Sequence, residues 1–253
     1  LHQPNSWKTP EALKLMKSFE SDVCMMAYVL MFVPQEVLDA PKYGTFQYHP
    51  SLCPVHRGPS SINWPIAMGK SRTGLSIFWP NDGLDEGPMM LQKSCEIGPD
   101  ETLGDVYFKK LFPMGVDAML EGLDLVKAGI IIKHDQRLED GSYESWFGKA
   151  EAEIDWSKPV SDVYNTIRAA NPAPGAWTTV NGSELKVYDS ACVAGSGAFG
   201  EVVSIENSGM LVQGNGGRIL IKRVRPAGGG KISASEWAAH AEITPGTKLG
   251  SKP

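Results

Sequence analysis

No two of the four cysteines, Cys24, Cys53, Cys95 and Cys192, are spaced as CxxC, which removes the usual mark of a zinc ribbon or a dithiol redox motif. Reduced thiols in a cytoplasmic protein are the expectation. Excess positive charge is also lacking. A formal net charge of −5 gives no whole-chain field for nucleic acid, although it leaves room for a local basic patch. The almost wholly apolar run Val23–Val33 stops at Pro34, short of the roughly 20 residues a membrane helix needs, so no membrane partner is expected. The chain opens at Leu1 without an initiator Met or a signal-peptide pattern, and upstream sequence is expected to be missing. Core-forming residues are plentiful. With 42% hydrophobic and 21% charged residues among 253, the composition is that of a soluble globular chain of one large or two modest domains.

Thr9-Pro10 predicts a helix to about Phe19, and the apolar run Val23–Met31 predicts a strand buried on both faces. A short helix over Gln35–Leu38 precedes a strand at Gly44–His49, in which Thr45, Gln47 and His49 share one face and Phe46 and Tyr48 the other. A helix over Asn63–Met68, a strand at Gly74–Trp79 and a loop at Pro80–Gly87 follow. Helical patterning resumes from Thr102 to Leu111, is interrupted at Pro113 and continues to Ala128, with Gly129 as its stop. Alternating helix and strand favours a parallel, doubly wound α/β sheet, whose ligands sit at the carboxyl ends of strands. The charged, turn-rich segment Lys133–Lys149 reads as a linker. Beyond it, a short helix at Asp162–Ala169 is followed by strand candidates at Ala176–Val180, Glu184–Tyr188, Gly200–Ile205, Gly209–Gln213 and Arg218–Val224, the spacing of a small barrel. Ser233 and Glu236 form a capping box for a last helix over Trp237–Ala241. The expected organisation is an incomplete doubly wound α/β domain at residues 1–132, a linker at 133–149 and a β-rich domain at 150–253.

Two segments carry the chemistry. YHPSLCPVHRG at Tyr48–Gly58 places His49 where a strand breaks at Pro50, and WPNDGLDEG at Trp79–Gly87 places Asp85 in a tight loop. A hydrogen bond between them would make an oriented general base. A lone His is also commonly structural, and the residues alone leave both readings open. GSGAFGEVV at Gly195–Val203 imitates a dinucleotide or kinase glycine loop. However, β-branched residues follow it where a helix is required, and too little chain remains after Lys222 for a kinase catalytic loop. His49, Cys53 and His56 lack metal-ligand spacing, so no metal is expected. Cys53 suits a small apolar turn position better than a nucleophile. Lys222, Arg223, Arg225 and Lys231 form a modest basic cluster, read as a solvated face or, more sharply, an RNA-backbone contact.

HPSLCPVHRGPSSINW followed by GLSIFWPNDGLDEG resembles the formyltransferases that use 10-formyltetrahydrofolate, whose signature is a His, then SLLP, then a GLDTG-like loop. Tyr48-His49-Pro50-Ser51, Ile62-Asn63-Trp64, Phe78-Trp79, Leu111-Phe112-Pro113 and Pro174-Gly175-Ala176-Trp177 resemble most the amino-terminal hydrolase region of 10-formyltetrahydrofolate dehydrogenases. The second domain resembles the family's carboxyl-terminal OB-like barrel, shared with methionyl-tRNA formyltransferases. The resemblance implies a Rossmann-like first domain, His49 and Asp85 as the catalytic His and Asp, and Ala27–Leu30 (Tyr28, Val29, Leu30 among them), Ser51 and the loop Asn81, Asp82, Gly83, Leu84 around the folate. Gln47 stands where many transferases of the family carry Asn, and keeps an amide donor on a longer arm. The implied co-substrate is 10-formyltetrahydrofolate. The acceptor is water, as in the hydrolase region, or a primary amine, with initiator methionyl-tRNA leading. A non-catalytic RNA- or partner-binding module is the alternative from a different class.

Overall fold

The computed structural model describes residues 1–250. Two compact units emerge, the first made of Leu1–Ser61, Arg72–Glu96 and Tyr107–Trp146, and the second of Ile62–Ser71, Ile97–Val106 and the chain from Phe147 onward.

In the first unit, helix α1 (Pro10–Ser18) starts as the sequence predicts, with the Thr9 hydroxyl accepting the Ala12 N–H at 3.3 Å and Pro10 in its first turn. Four strands follow, β1 (Cys24–Met26), β2 (Thr45–His49), β3 (Arg72–Phe78) and β4 (Met89–Glu96), in spatial order β1-β2-β3-β4. Between β1 and β2 lies helix α2 (Gln35–Leu38). The Rossmann-like α/β class holds, but the sheet is mixed. Strands β1 and β2 run parallel, whereas β2–β3 and β3–β4 are antiparallel. The expected long buried strand Val23–Met31 shrinks to β1, an edge strand, and Tyr28, Leu30 and Met31 are exposed. At an edge one side has no neighbour, and the chain leaves the sheet at Tyr28, whose φ is +58°.

Residue parity decides what the sheet buries. Phe46, Tyr48, Leu75, Ile77 and Trp79 point to one face and, with Met90, pack on Ala118 and Val126 of helix α5 (Phe112–Lys127). Gly115 lets that helix approach, since a Cβ there would lie 2.6 Å from the Tyr48 ring. Pro113 does not interrupt the helix. A π-helical turn at Tyr107–Leu111 leads directly into α5, with Pro113 in its first turn, where a missing N–H costs nothing. Thr45, Gln47 and His49 point to the other face, so the core stands behind the candidate site.

The segment expected as a linker is fastened to the first unit through Trp146. His134 and Met89 exchange backbone hydrogen bonds of 2.7 and 3.0 Å, and Arg57 and Tyr143 form a parallel bridge. A turn-rich composition predicts a linker, and here partners distant in sequence take up its backbone hydrogen bonds.

The second unit contains helices α3 (Asn63–Ala67), α4 (Leu103–Val106), α6 (Val160–Ala169) and α7 (Ala234–His240) with two four-stranded sheets. One sheet holds β5 (Ala176–Val180), β6 (Ser183–Val187), β11 (Arg223–Pro226) and β12 (Ile232–Ser233). The other holds β7 (Ser190–Val193), β8 (Val202–Glu206), β9 (Gly209–Gly214) and β10 (Gly217–Ile221). The single strand expected at Arg218–Val224 divides at Lys222 between the two sheets. Ser233 caps α7 by accepting the Glu236 N–H at 3.1 Å. The glycine run at Gly195–Gly200 is an irregular loop leading into β8, with no helix after it.

Candidate active site

His49 ends β2 beside Ser76 of β3, on the sheet face opposite α5. Its Nδ1 lies 3.6 Å from Asp85 Oδ2, with the two side chains only 8% and 10% exposed. That separation suits an ion pair and exceeds a good hydrogen bond. Its Nε2 lies 3.2 Å from the His56 carbonyl oxygen. Both ring nitrogens therefore face acceptors.

Strand direction alone would separate this pair. Because β3 runs antiparallel to β2, its last residue, Phe78, lies in register with Gln47 rather than His49. The loop after β3 is pinched at its base, where the Trp79 N–H donates to the Pro88 oxygen at 2.9 Å. It turns at Asp85 in a left-handed conformation, φ +55°. Gln136 Nε2 donates to the carbonyl oxygens of Asp85 and Gly87 at 3.0 and 2.7 Å, and the Gly58 N–H donates to Asp85 Oδ2 at 2.9 Å. Gly58 has φ +108°, and a Cβ there would collide with the Glu144 carbonyl oxygen. Only glycine fits that position.

A second His–carboxylate pair lies alongside. His56, also left-handed at φ +57°, keeps Nδ1 3.1 Å from Glu144 Oε2, and its N–H donates to Ser142 Oγ at 2.9 Å. Arg57 is paired with Glu86. Six non-glycine residues among those described have positive φ, and Tyr28, His56 and Asp85 are three of them. Strain of this kind gathers at functional sites.

Residues 2–120 match the formyl transferase domain and residues 147–242 the formyl transferase C-terminal domain. The methionyl-tRNA formyltransferase of Geotalea uraniireducens is 32% identical over 250 residues, which cover 99% of this chain and 80% of that protein. The chain belongs to the formyl transferase family. This formyl transferase chain is also 34% identical over 244 residues to the mitochondrial 10-formyltetrahydrofolate dehydrogenase of Mus musculus, covering 92% of this chain and 26% of the dehydrogenase. It thus spans about a quarter of the length of the dehydrogenases it matches. Its fold is that of HypX from Aquifex aeolicus, solved in complex with tetrahydrofolic acid, with a TM-score of 0.74 at 18% identity over 90% of this chain and 40% of that one.

The remaining expected site residues of this formyl transferase fall into two groups. Gln47 is half-buried on the His49 face. Tyr28, Leu30, Asn81, Asp82 and Leu84 are exposed, and Val29 and Gly83 half-buried. Asn81 Oδ1 accepts the Gly83 N–H at 3.0 Å and shapes the loop tip. Ser51, by contrast, is buried in the turn after β2. Its hydroxyl donates to the Val55 oxygen at 2.8 Å, and its carbonyl accepts from Ser76 Oγ at 2.7 Å. Burial, the largest cause, pushes the Cys53 thiol up to about 11, so it is protonated at neutral pH and is no nucleophile. Among the described residues no three His, Cys, Asp or Glu side chains gather around a metal-sized space. Sequence reading passed over Gly58, Gln136, Glu144 and the turn role of His56. Gly58 sits within the motif that exposed His49, but Gln136 and Glu144 belong to the segment taken for a linker and carry no local signal.

Proposed function

We propose that the chain removes the formyl group from 10-formyltetrahydrofolate at His49 and Asp85, with water as acceptor, releasing tetrahydrofolate and formate. The observation that carries this reading is the shielded His49–Asp85 pair, with the Gly58 N–H fixing the carboxylate. Water oxygen attacks the formyl carbon as it gives one proton to His49, and a tetrahedral oxyanion forms. Collapse then breaks the carbon–nitrogen bond as the folate nitrogen takes that proton back, and the formic acid released ionises to formate. A ring with acceptors at both nitrogens is suited to hold positive charge beside that oxyanion, where low dielectric strengthens the attraction. Proton transfer from Nε2 requires the His56 contact to open first. Gln47, on the same face, offers an amide N–H to the same oxygen. The exposed apolar groups of Tyr28, Leu30 and Leu84 offer surface for an aromatic pterin to cover, with Val29 and the Asn81–Leu84 backbone beside them. Ser51 serves this reading through the turn that carries His49. Water ranks first because of the similarity to 10-formyltetrahydrofolate dehydrogenases over nine-tenths of the chain.

The second reading is transfer to a primary amine, with methionyl-tRNA the leading acceptor. Near full-length similarity to a methionyl-tRNA formyltransferase favours it. So does a basic strip on the second unit, which we read as an OB-like barrel: Lys222, Arg223, Arg225 and Lys231 are all exposed. There desolvation, followed by the charge of Arg223, pushes the Lys231 ammonium down. The full chain incubated with 10-formyltetrahydrofolate separates the readings. Tetrahydrofolate release without any amine supports water; release only on adding charged initiator tRNA assigns the amine. Release in neither case rejects both.

A further inference from the structure

We propose that the buried His56–Glu144 pair is a positioning device for His49. It presents the His56 carbonyl to His49 Nε2 and so fixes which way the imidazole faces and which nitrogen carries its proton.

One turn touches both members of the candidate pair. The His56 carbonyl oxygen lies 3.2 Å from His49 Nε2, and two residues later the Gly58 N–H donates to Asp85 Oδ2 at 2.9 Å. The turn is an unfavourable conformation for a side-chain-bearing residue. At φ +57°, His56 costs about 1–2 kcal/mol relative to the right-handed region, so something must hold it there. The strand-like segment Ser142–Glu144 supplies the restraint. Ser142 Oγ accepts the His56 N–H at 2.9 Å, the Ser142 carbonyl accepts the Arg57 N–H at 3.1 Å, and the Glu144 N–H donates to the Arg57 oxygen at 3.1 Å. The Glu144 carboxylate holds the His56 ring at 3.1 Å, and the Glu144 carbonyl packs where a Gly58 side chain would be. Glu144 thus grips the turn three times, at His56, Arg57 and Gly58. Its hydrogen bonds run to His56 and Arg57, and it acts on His49 through the turn, as a positioning residue rather than a catalytic one.

The mechanical consequence is specific. If the turn relaxes, Nε2 loses its acceptor and the Asp85 carboxylate loses its amide donor together. His49 then samples other ring orientations and tautomers, while the exposed side chains of Tyr28 and Leu84 are untouched.

The test uses the full chain with Glu144→Ala, Glu144→Gln and Ser142→Ala, and it has two independent readouts. The activity arm rests on the formyl-removal reading; the second, the ¹⁵N signals of the His49 ring assigned against His49→Ala, does not. Glu144→Ala is expected to lower kcat by about 10- to 100-fold with KM for 10-formyltetrahydrofolate within about 2-fold, and to move the His49 ring signals toward a mixed tautomer. Glu144→Gln keeps an acceptor for His56 Nδ1–H and should restore most of both. Unchanged His49 ring signals in Glu144→Ala overturn the proposal whatever the kinetics. Should that variant fail to fold, Ser142→Ala, which removes the acceptor of the His56 N–H, decides on the same ring signals. A wild-type chain that turns over no formyl donor rejects the formyl-removal reading, yet the ring signals still decide whether Glu144 positions His49.

Discussion

At the scale of single residues, His49 and Asp85 combine near-complete burial with two further tethers, the His56 carbonyl and the Gly58 amide. Asp85→Asn keeps an acceptor for Gly58 while removing the charge facing His49. It is expected to lower formyl release by about 10²- to 10⁴-fold, measured as formate per enzyme, with little change in melting temperature. Cys53 provides a pH test. Its thiol is raised from 9.0 to about 11, chiefly by burial. The folded state therefore holds that proton more tightly than the unfolded chain, and the stability it contributes is complete below pH 9 and lost as pH rises toward 11. Cys53 is expected to account for about 2–3 kcal/mol of the stability lost in denaturant titrations across that window, and Cys53→Ala should lessen the loss, the other thiols and phenols raised by burial keeping their share. His49 and Asp85 were visible in the sequence because each interrupts a strand pattern with a turn. Their meeting was not visible, since it depends on a loop that returns against the strand direction.

At the scale of elements, the turn Pro54–Gly58, the loop Trp79–Pro88 and the segment Gln136–Glu144 act together through hydrogen bonds that join residues remote in sequence. Gly58→Ala forces the new Cβ against the Glu144 carbonyl and shifts the backbone that holds Asp85. Activity should fall with that substitution more than the melting temperature does, as separate turnover and thermal-melt measurements would record. Gly115→Val tests the opposite face: crowding the Tyr48 ring should destabilise the first unit by about 1–3 kcal/mol, read by chemical denaturation. The alternation in Thr45–His49 and Leu75–Trp79 made the strands flanking the site legible. Strand β4 escaped notice because Met89–Glu96 mixes charge with half-buried side chains, and Gln136 and Glu144 because a turn-rich composition says nothing about long-range partners. The Lys222 break was hidden since Arg218–Val224 reads as one continuous β pattern, although it feeds two sheets.

At the scale of the whole molecule, a net charge of −5 coexists with the basic strip around Arg223 and Arg225, so the chain offers one acceptor-dependent prediction. Formyl release to water should change little between about 50 and 200 mM salt, whereas transfer to tRNA should fall steeply as phosphate contacts are screened. The most direct measurement compares formate and tetrahydrofolate production from 10-formyltetrahydrofolate, without amine, by the wild-type full chain and by His49→Ala folded to the same extent. The wild type is expected to release equimolar formate and tetrahydrofolate, and the variant at least about 100-fold less. Equal turnover by the two proteins would overturn the assignment of His49.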